Sequence, residues 1–469
     1  MVVFELCFIA YPGTDHRAFF EAACVDASLG LLCWLPTRRH HLRVSPNDAL
    51  LIVMLTWVVM CVVGSLPYLF YRGQHILFCD ALFESVSGFS TTGASILTDI
   101  ESLPHPLLLW RSFTHWIGGI GIVVMFLAVL PILRAGGSQL FRAEIPGPSK
   151  DKFTPTIGKT ARAIFSVYCL ITLAEVMFLM FFGMNLFDAL CHAFGTVATG
   201  GFSNRNLSVA YYHSPAIEMV IAFFMFISGA NFSLHLSLMH GDWRSYLRNS
   251  EFRLYCFIIF CATLLLTLVN MYQGHFPVPP GPGKAFREAL FQVVSLMTCT
   301  GFASADFDAW PELCRFTLLA LMFVGACSGS TGGGLKVFSV LVAFKACLRE
   351  MRSIIWPRGV FHVRMDGMAL GEHLVRATLA YIFLFLAVFL FSSLILVGLE
   401  GGNFPFLDLL SIDVSCLSGV GPGLGAFGPT LSYALLSPAS KYLLCFVMLL
   451  GRVEIYTFLI LFAKPVLLR

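Results

Sequence analysis

The chain has 469 residues, of which 57% are hydrophobic and only 12% charged, with a mean hydropathy of +0.80. An average globular chain carries about 25% charge, so this composition excludes a water-soluble fold and equally a disordered one. The net charge of +3 is too small to indicate a nucleic-acid partner. What remains is a polytopic membrane protein.

Apolar stretches of the roughly 20 residues needed to cross a bilayer recur along the whole chain. The first dozen residues are too short to span, and lack the basic start and small-residue cleavage site of a signal peptide. A weak span covers Ala18–Trp34, lowered by Glu21 and Asp26. Stronger ones follow at Ala49–Tyr71, Phe113–Leu133, Ala163–Phe182, Pro215–Leu238, Leu254–Tyr272, Arg315–Phe344, Leu374–Leu399 and Lys441–Phe462. None of the fifteen cysteines is spaced as CxxC. Cys61, Cys169, Cys256, Cys261, Cys327 and Cys445 lie in apolar runs, where they are expected as small buried hydrophobes.

Basic residues crowd alternate connections: Arg38, Arg39 and Arg43; Arg134, Arg142, Lys150, Lys152 and Lys159; Arg244, Arg248 and Arg253; Lys345, Arg349, Arg352, Arg358 and Arg364. The intervening loops include acidic stretches, Asp99–Glu101 and Asp306–Glu312. The basic side is therefore expected to be cytoplasmic, with Lys464 and Arg469 of the C-terminus on it.

Between paired spans lie four moderately apolar segments too short to cross: Asp80–Ser90, Asp188–Val197, Glu288–Met297 and Asp408–Leu417. Each begins with an acidic residue and runs into a glycine (Gly93, Gly201, Gly301, Gly421) thirteen positions after that acid. The glycines recur at intervals of 108, 100 and 120 residues, a domain-scale repeat. The repeated unit is span, half-helix, glycine turn, span. The division that follows is an extension with about one membrane helix at 1–48 and repeats at 49–133, 134–240, 241–345 and 346–469. The fold class expected is all-α and polytopic, with four tandem helix–pore-helix–helix (M1-P-M2) repeats around one pore.

Non-helical backbone at membrane depth survives only where protein buries it or a watery cavity meets it. Four re-entrant turns thus predict a common lining. An acid at the start of a half-helix suits its positive end, leaving the partly negative C-terminus aimed at the turn. Four such ends converging favour a cation, and glycine permits the backbone geometry that aims carbonyls inward to replace its hydration shell. The turns are Thr91-Thr92-Gly93, Thr199-Gly200-Gly201, Cys299-Thr300-Gly301 and Gly419-Val420-Gly421. Taken singly each reads as an ordinary extracellular turn; four in register read as an imperfect fourfold filter for potassium, held by these residues alone.

Several longer motifs carry a resemblance. FESVSGFSTTGAS at Phe83–Ser95, HWIGGIGIVVM at His115–Met125, FQVVSLMTCTGFASADF at Phe291–Phe307, FVGACSGSTGGGLKV at Phe323–Val337, GVGPGLG at Gly419–Gly425 and MLLGRVEIYT at Met448–Thr457 resemble the TrkH/KtrB potassium uptake family, and within it the TrkH branch. The resemblance runs from Arg17 to Arg469. It implies a potassium-translocating subunit in the bacterial inner membrane, a homodimer with one pore per protomer, and gating by a cytoplasmic TrkA-like nucleotide-binding subunit. The chain departs from the family in three places. The first helix of an N-terminal pair is reduced to Met1–Tyr11, Ser418-Gly419 replaces a pair of polar amides, and Asp413 puts a carboxylate inside the fourth half-helix.

GSTGGGLKV at Gly329–Val337 is not a phosphate loop, because Lys336 lies between Leu335 and Val337 rather than between Gly and Ser/Thr. It interrupts an apolar run, and three consecutive glycines weaken a helix by about 1 kcal/mol each against alanine. One reading is a tolerated kink. The other, supported by the resemblance, is a mobile gate under the filter comprising Ala326, Gly329, Ser330, Thr331, Gly332, Gly333, Gly334 and Lys336. Arg452 stands well inside the last span, nominally at about 2.5–3.5 kcal/mol. Glu454, two residues on, faces another side of the helix. Arg452 is expected either to pair with a buried carboxylate such as Glu175 or to act as a positive brake at the pore wall, where the resemblance matches it to a family arginine. Glu84 and His192 read as structural. No catalytic triad, metal-ligand spacing or nucleotide fingerprint is visible, so neither an enzyme nor a cofactor is expected. The competing function is a secondary transporter coupling potassium to protons or sodium by alternating access, for which inverted repeats would be the sign.

Overall fold

The computed structural model describes residues 17–38, 46–121, 157–273, 281–453 and 455. Met1–Tyr11, Arg39, Arg43, the loop bearing Arg134, Arg142, Lys150 and Lys152, the boundary at 133/134, Glu454 and the C-terminal Lys464 and Arg469 lie outside these residues. The Lys159 side chain does too. Among the described residues five helices are long and apolar enough to cross a membrane, and one bent pair would make a sixth.

A helix at Arg17–Thr37 precedes four units of one plan. The first helices of the units are Pro46–Gly64 (continued after a bend at Ser65 by Leu66–Phe70), Ile157–Phe181, Ser250–Gln273 and Glu372–Leu399. The short helices are Phe78–Phe89, Leu186–Val197, Pro282–Met297 and Phe406–Ser418. The second helices are residues 105–121, Pro215–Ser228 with Phe232–Met239, Glu312–Val324 with Val337–Ile355, and Pro438–Val453. The architecture is the all-helical one expected, four helix–short helix–helix units in tandem. The only strands among the described residues are a two-residue hairpin, Arg364–Met365 with Met368–Ala369.

Some expectations need correction. Pro215–Leu238 is not one straight span but two helices bent by 96°. Gly229 stands at the end of the first, where a side chain would strike Thr298 and the Tyr255 hydroxyl, and the Asn231 side chain caps the second by accepting from the Ser233 N–H. Arg315–Phe344 is likewise two helices, parted at Gly325–Lys336. The third short helix starts at Pro282, so Glu288 sits in its second turn beside Lys284 rather than at its start. In the other three units the acid is the third helical residue, as the positive helix end favours. Cys261 is exposed on the apolar exterior, and Cys169 and Cys256 are half-buried, while Cys61, Cys327 and Cys445 are buried.

The units close into a ring through one recurring contact. The second helix of unit 2 packs on the short helix of unit 3, that of unit 3 on unit 4, and that of unit 4 on unit 1. Phe113 and Trp116 in the second helix of unit 1 meet Phe194 in the short helix of unit 2, completing the circuit. One apolar core is built mainly from units 2 and 3, and another from units 1 and 4. The first helices lie outermost, with Phe178, Phe257, Phe260, Phe383 and Phe391 exposed. Exposed aromatics around a polar centre fit a lipid surround.

Candidate cation filter and gate

The four turns repeat one backbone geometry. Their first residues, Thr91, Thr199, Cys299 and Gly419, have φ of 54°, 53°, 59° and 71°; their third, Gly93, Gly201, Gly301 and Gly421, have 85°, 77°, 84° and 104°. A left-handed non-glycine residue is strained, yet three recur at one position, so the fold holds them. In every turn the middle N–H points back to its short helix: Thr92 to the Ser87 carbonyl (2.9 Å), Gly200 to Gly195 (2.8 Å), Thr300 to Ser295 (2.9 Å), Val420 to Ser415 (2.8 Å). Backbone that alternates left-handed with ordinary residues, its N–H groups turned backward, sends successive carbonyls to the other side.

That side is shared. A Cβ added to Gly93 would collide with the Gly200 carbonyl, to Gly201 with that of Thr300, to Gly301 with that of Val420, and to Gly421 with that of Thr92 (2.7 Å). Each third-position glycine abuts the middle carbonyl of the next turn, and the fourth closes on the first. All twelve filter residues named from the sequence are thus brought together, and the third-position glycines open onto a cavity of about 220 Å³. The middle residues are braced differently. Hydroxyl pairs Ser90–Thr92 and Thr298–Thr300, both 2.8 Å, serve units 1 and 3. In unit 2 the His115 ring, 2.5 Å from where a Gly200 side chain would start, takes that space.

Ion pairs hold this ring from outside. Buried Glu84 accepts from Arg111 (2.5 Å), the Ser95 hydroxyl (3.0 Å) and the Ile96 N–H (3.1 Å). Arg111 donates also to the Ser203 carbonyl (2.7 Å), tying unit 1 to unit 2. Asp188 accepts from Asn204, Arg205 and Tyr212, and His192 lies between the Asp188 carbonyl and the Ser203 hydroxyl. Lys441 reaches Asp80 across the chain at 2.7 Å. Glu84 and His192 stand in this framework, bonded to residues that flank the turns.

Beneath the ring lies the glycine loop of unit 3. Gly325, Gly329, Gly334 and Lys336 all have positive φ, 69–75°, which no helix tolerates in series. Gly332 packs beneath the Thr298 carbonyl and against Ala326, and Gly333 directly against the Ser418 carbonyl, with no room for a side chain. The Thr331 hydroxyl lies 3.2 Å from that of Thr199 and 3.1 Å from the Val197 carbonyl. The loop therefore touches the short-helix ends of units 2, 3 and 4. It is internally closed by Ser330 donating to the Cys327 carbonyl, Val337 N–H to the Ala326 carbonyl, and Lys336 Nζ to the Gly332 carbonyl. The broken helix of unit 2 supplies further partners: Phe232 N–H donates to the Gly329 carbonyl and Cys327 N–H to the Gly229 carbonyl, both 3.0 Å.

Arg452 completes the floor. It is buried, and donates to the Thr331 carbonyl (2.9 Å) and the Gly118 carbonyl (2.8 Å), pinning the loop to unit 1. The expected alternative, pairing with Glu175, is not what forms: Glu175 is buried elsewhere, and no donor meets either of its oxygens among the described residues. Asp413 sits behind the fourth short helix, Oδ2 accepting from Ser392 (2.8 Å) and Ser393 (2.5 Å) and Oδ1 unmet among the described residues.

Sequence reasoning missed Glu251. Its buried carboxylate accepts from the Ser328 N–H (2.6 Å) and the Phe338 N–H (3.1 Å), clasping both ends of the loop. An acid beginning an apolar span among Arg244, Arg248 and Arg253 was its only signal. Tyr433, whose hydroxyl meets the filter, had none.

Four short helices that run into a closed ring of turns, packed over a glycine loop and set in an apolar exterior, define a membrane transport protein. The chain matches the family described as TrkH, cation transport protein, over residues 15–466. It is 38% identical over 464 residues to the Trk system potassium uptake protein TrkH of Escherichia coli, covering 98% of this chain and 94% of that one. To the Trk system potassium uptake protein TrkI of Halomonas elongata it is 35% identical over 463 residues, 98% and 92% of the two chains. The crystal structure of the potassium transporter TrkH from Vibrio parahaemolyticus superposes with a TM-score of 0.89 at 34% identity, covering 99% of this chain and 95% of that one. The chain belongs to the TrkH family of cation transport proteins.

Proposed function

We propose that this chain is the potassium-translocating subunit of a Trk-type uptake system, conducting through a carbonyl-lined filter. The single observation carrying the reading is the ring in which each third-position glycine abuts the next turn's middle carbonyl. Oxygens converging from four turns can replace water around a potassium ion. The twelve filter residues are the ion-binding set, and the loop with Arg452 is the gate. The repeats are those read from the sequence, 49–133, 134–240, 241–345 and 346–469 after an extension at 1–48, although the first helix of unit 1 begins at Pro46 and the second helix of unit 3 runs on to Ile355. Potassium is cargo, with no resident cofactor. The test is tracer flux and bilayer recording with purified protein: unitary potassium currents support the reading, and absence of cation flux from folded protein sinks it.

Regulation by a cytoplasmic TrkA-like nucleotide-binding subunit belongs to the same reading, as do a homodimer, the bacterial inner membrane and a cytoplasmic C-terminus. Exposed Arg352, Arg358 and Arg364, beside an Arg349 already paired with Glu350 and Glu372, are a docking face for an acidic surface; the side chains of the Arg134–Lys159 half of that face lie outside the described residues. Pull-down from native membranes is expected to recover a nucleotide-binding companion, lost when Arg352 and Arg358 are changed to Glu. A companion retained by that variant, or none from the parent, counts against the assignment.

A second reading, coupling of potassium to protons or sodium, draws on Asp413 and Glu175, because incompletely paired intramembrane carboxylates often serve ion coupling. Strictly stoichiometric co-flux, abolished in Asp413→Asn or Glu175→Gln, would favour it over channel-like conduction.

A further inference from the structure

The three braces described for the filter leave one quarter unaccounted for. Units 1 and 3 hold their middle residues by a hydroxyl pair two positions apart, and unit 2 by the His115 ring. Unit 4 has Ser418 where the pair would begin, but Val420 where the second hydroxyl would stand, and the Ser418 hydroxyl has no partner among the described residues. Its first turn residue, Gly419, also lacks the side chain that the first residue of the other three carries.

Tyr433 reaches this quarter from a single helical turn twelve residues beyond it. Its hydroxyl donates to the Gly421 carbonyl at 2.6 Å, and the side chain is buried. Its position is fixed twice more. The backbone N–H donates to the Ser95 carbonyl at 2.8 Å, just past the unit 1 turn. The ring lies between Phe83 of the first short helix (5.7 Å) and Phe427 (5.4 Å). Tyr433 thus stands on the seam where the last turn closes onto the first. Gly421 also has the most extreme φ of the four third-position glycines, 104° against 77–85°. Among the described residues the carbonyls of Gly93, Gly201 and Gly301 receive no comparable donor.

We infer that the Tyr433 hydroxyl is the fourth brace of the filter: by holding the Gly421 carbonyl it fixes the spacing of oxygens on the unit 1–unit 4 seam and so sets discrimination between potassium and the smaller sodium ion. The inference rests on the proposed filter. Tyr433 is a positioning residue, acting through the carbonyl it holds. A carbonyl released from its donor can follow a smaller ion inward, which favours sodium more than it harms potassium.

The experiment compares potassium and sodium tracer uptake into proteoliposomes for the parent, Tyr433→Phe, Val420→Thr and the double variant, with thermal stability recorded for each. Tyr433→Phe keeps the ring and removes one hydrogen bond. It is expected to retain potassium uptake and lower the potassium-to-sodium ratio by roughly three- to tenfold, the range one net hydrogen bond supports. In the double variant the Val420→Thr change supplies the hydroxyl that pairs with Ser418, and the ratio should recover. A normally folded Tyr433→Phe with the parent's ratio overturns the inference. If Tyr433→Phe does not fold, 3,5-difluorotyrosine at position 433, which keeps the ring and changes only the hydroxyl, decides: an altered ratio supports the brace, an unchanged one overturns it. A folded parent without any cation flux overturns the filter itself, an outcome separate from a conducting parent indifferent to Tyr433.

Discussion

Gly93 and Gly301 are small for two reasons that act together. Each has a positive φ, and each lies against the neighbouring turn's carbonyl. A side chain at either therefore meets strain and a backbone atom that forms part of the ring. Gly93→Ser or Gly301→Ser is expected to displace the Gly200 or Val420 carbonyl and admit sodium more readily, while the helices around it stand. Purified variants with unchanged potassium-over-sodium uptake would count against the filter. At this scale much of the site was legible, because a glycine thirteen residues after an acid is a mark in the sequence. Where reading failed, the partner was distant. Arg452 was expected either at a carboxylate or at the pore wall, and it donates to two carbonyls from Thr331 and Gly118, 121 and 334 positions away. Glu251 clasps N–H groups 77 and 87 positions away. Backbone partners have no side-chain signature, so nothing in composition or spacing announces them.

Among the elements, the glycine loop explains more of the molecule than any helix. Its N–H and carbonyl groups lie at membrane depth, where each unmet one would be costly, and the structure meets them from four directions: the broken helix of unit 2, Glu251, Arg452 and the loop itself. The loop is therefore held in place by a handful of residues. Deleting Gly332–Gly334, or Arg452→Ala, is expected to raise potassium flux in the absence of any partner, with selectivity little changed because the filter lies above both. Glu251→Gln should do so more weakly, since an amide keeps one acceptor but loses the charge that strengthens its bonds to the two N–H groups. Partner-free flux in proteoliposomes no faster than the parent's in all three would remove the loop as a gate. The short helices show why boundaries were harder to read than existence. Three begin two residues before the acid used to find them, but the third unit's begins at Pro282, because Pro suits a first turn and Glu288 is free to sit deeper. The bend in unit 2 has a weak signal because Gly229 to Asn231 interrupt an otherwise mostly apolar stretch for only three residues.

At the scale of the whole molecule, the fourfold plan came through the sequence because its period is long and its motif short. The order of the quarters around the ring did not, since adjacency depends on packing between units far apart in the chain. Unequal quarters are the general result. A ring made by four copies of one subunit must be braced identically four times, whereas here only units 1 and 3 share a brace, and every turn can be altered alone. Substitutions on one quarter should thus give graded, non-equivalent changes in selectivity.

The contact between the fourth second helix and the first short helix also fixes when the ring of turns can close. A chain emerging from the ribosome inserts unit 1 first, with Asp80 placed for a lysine 361 residues later. Until Lys441 arrives, that carboxylate lacks the cation it pairs with, the first short helix lacks the surface it packs on, and the Thr92 carbonyl has no Gly421 beside it. Three completed quarters therefore leave the ring of turns open, and on the proposed reading a selective passage waits for the last short helix and the helix that follows it.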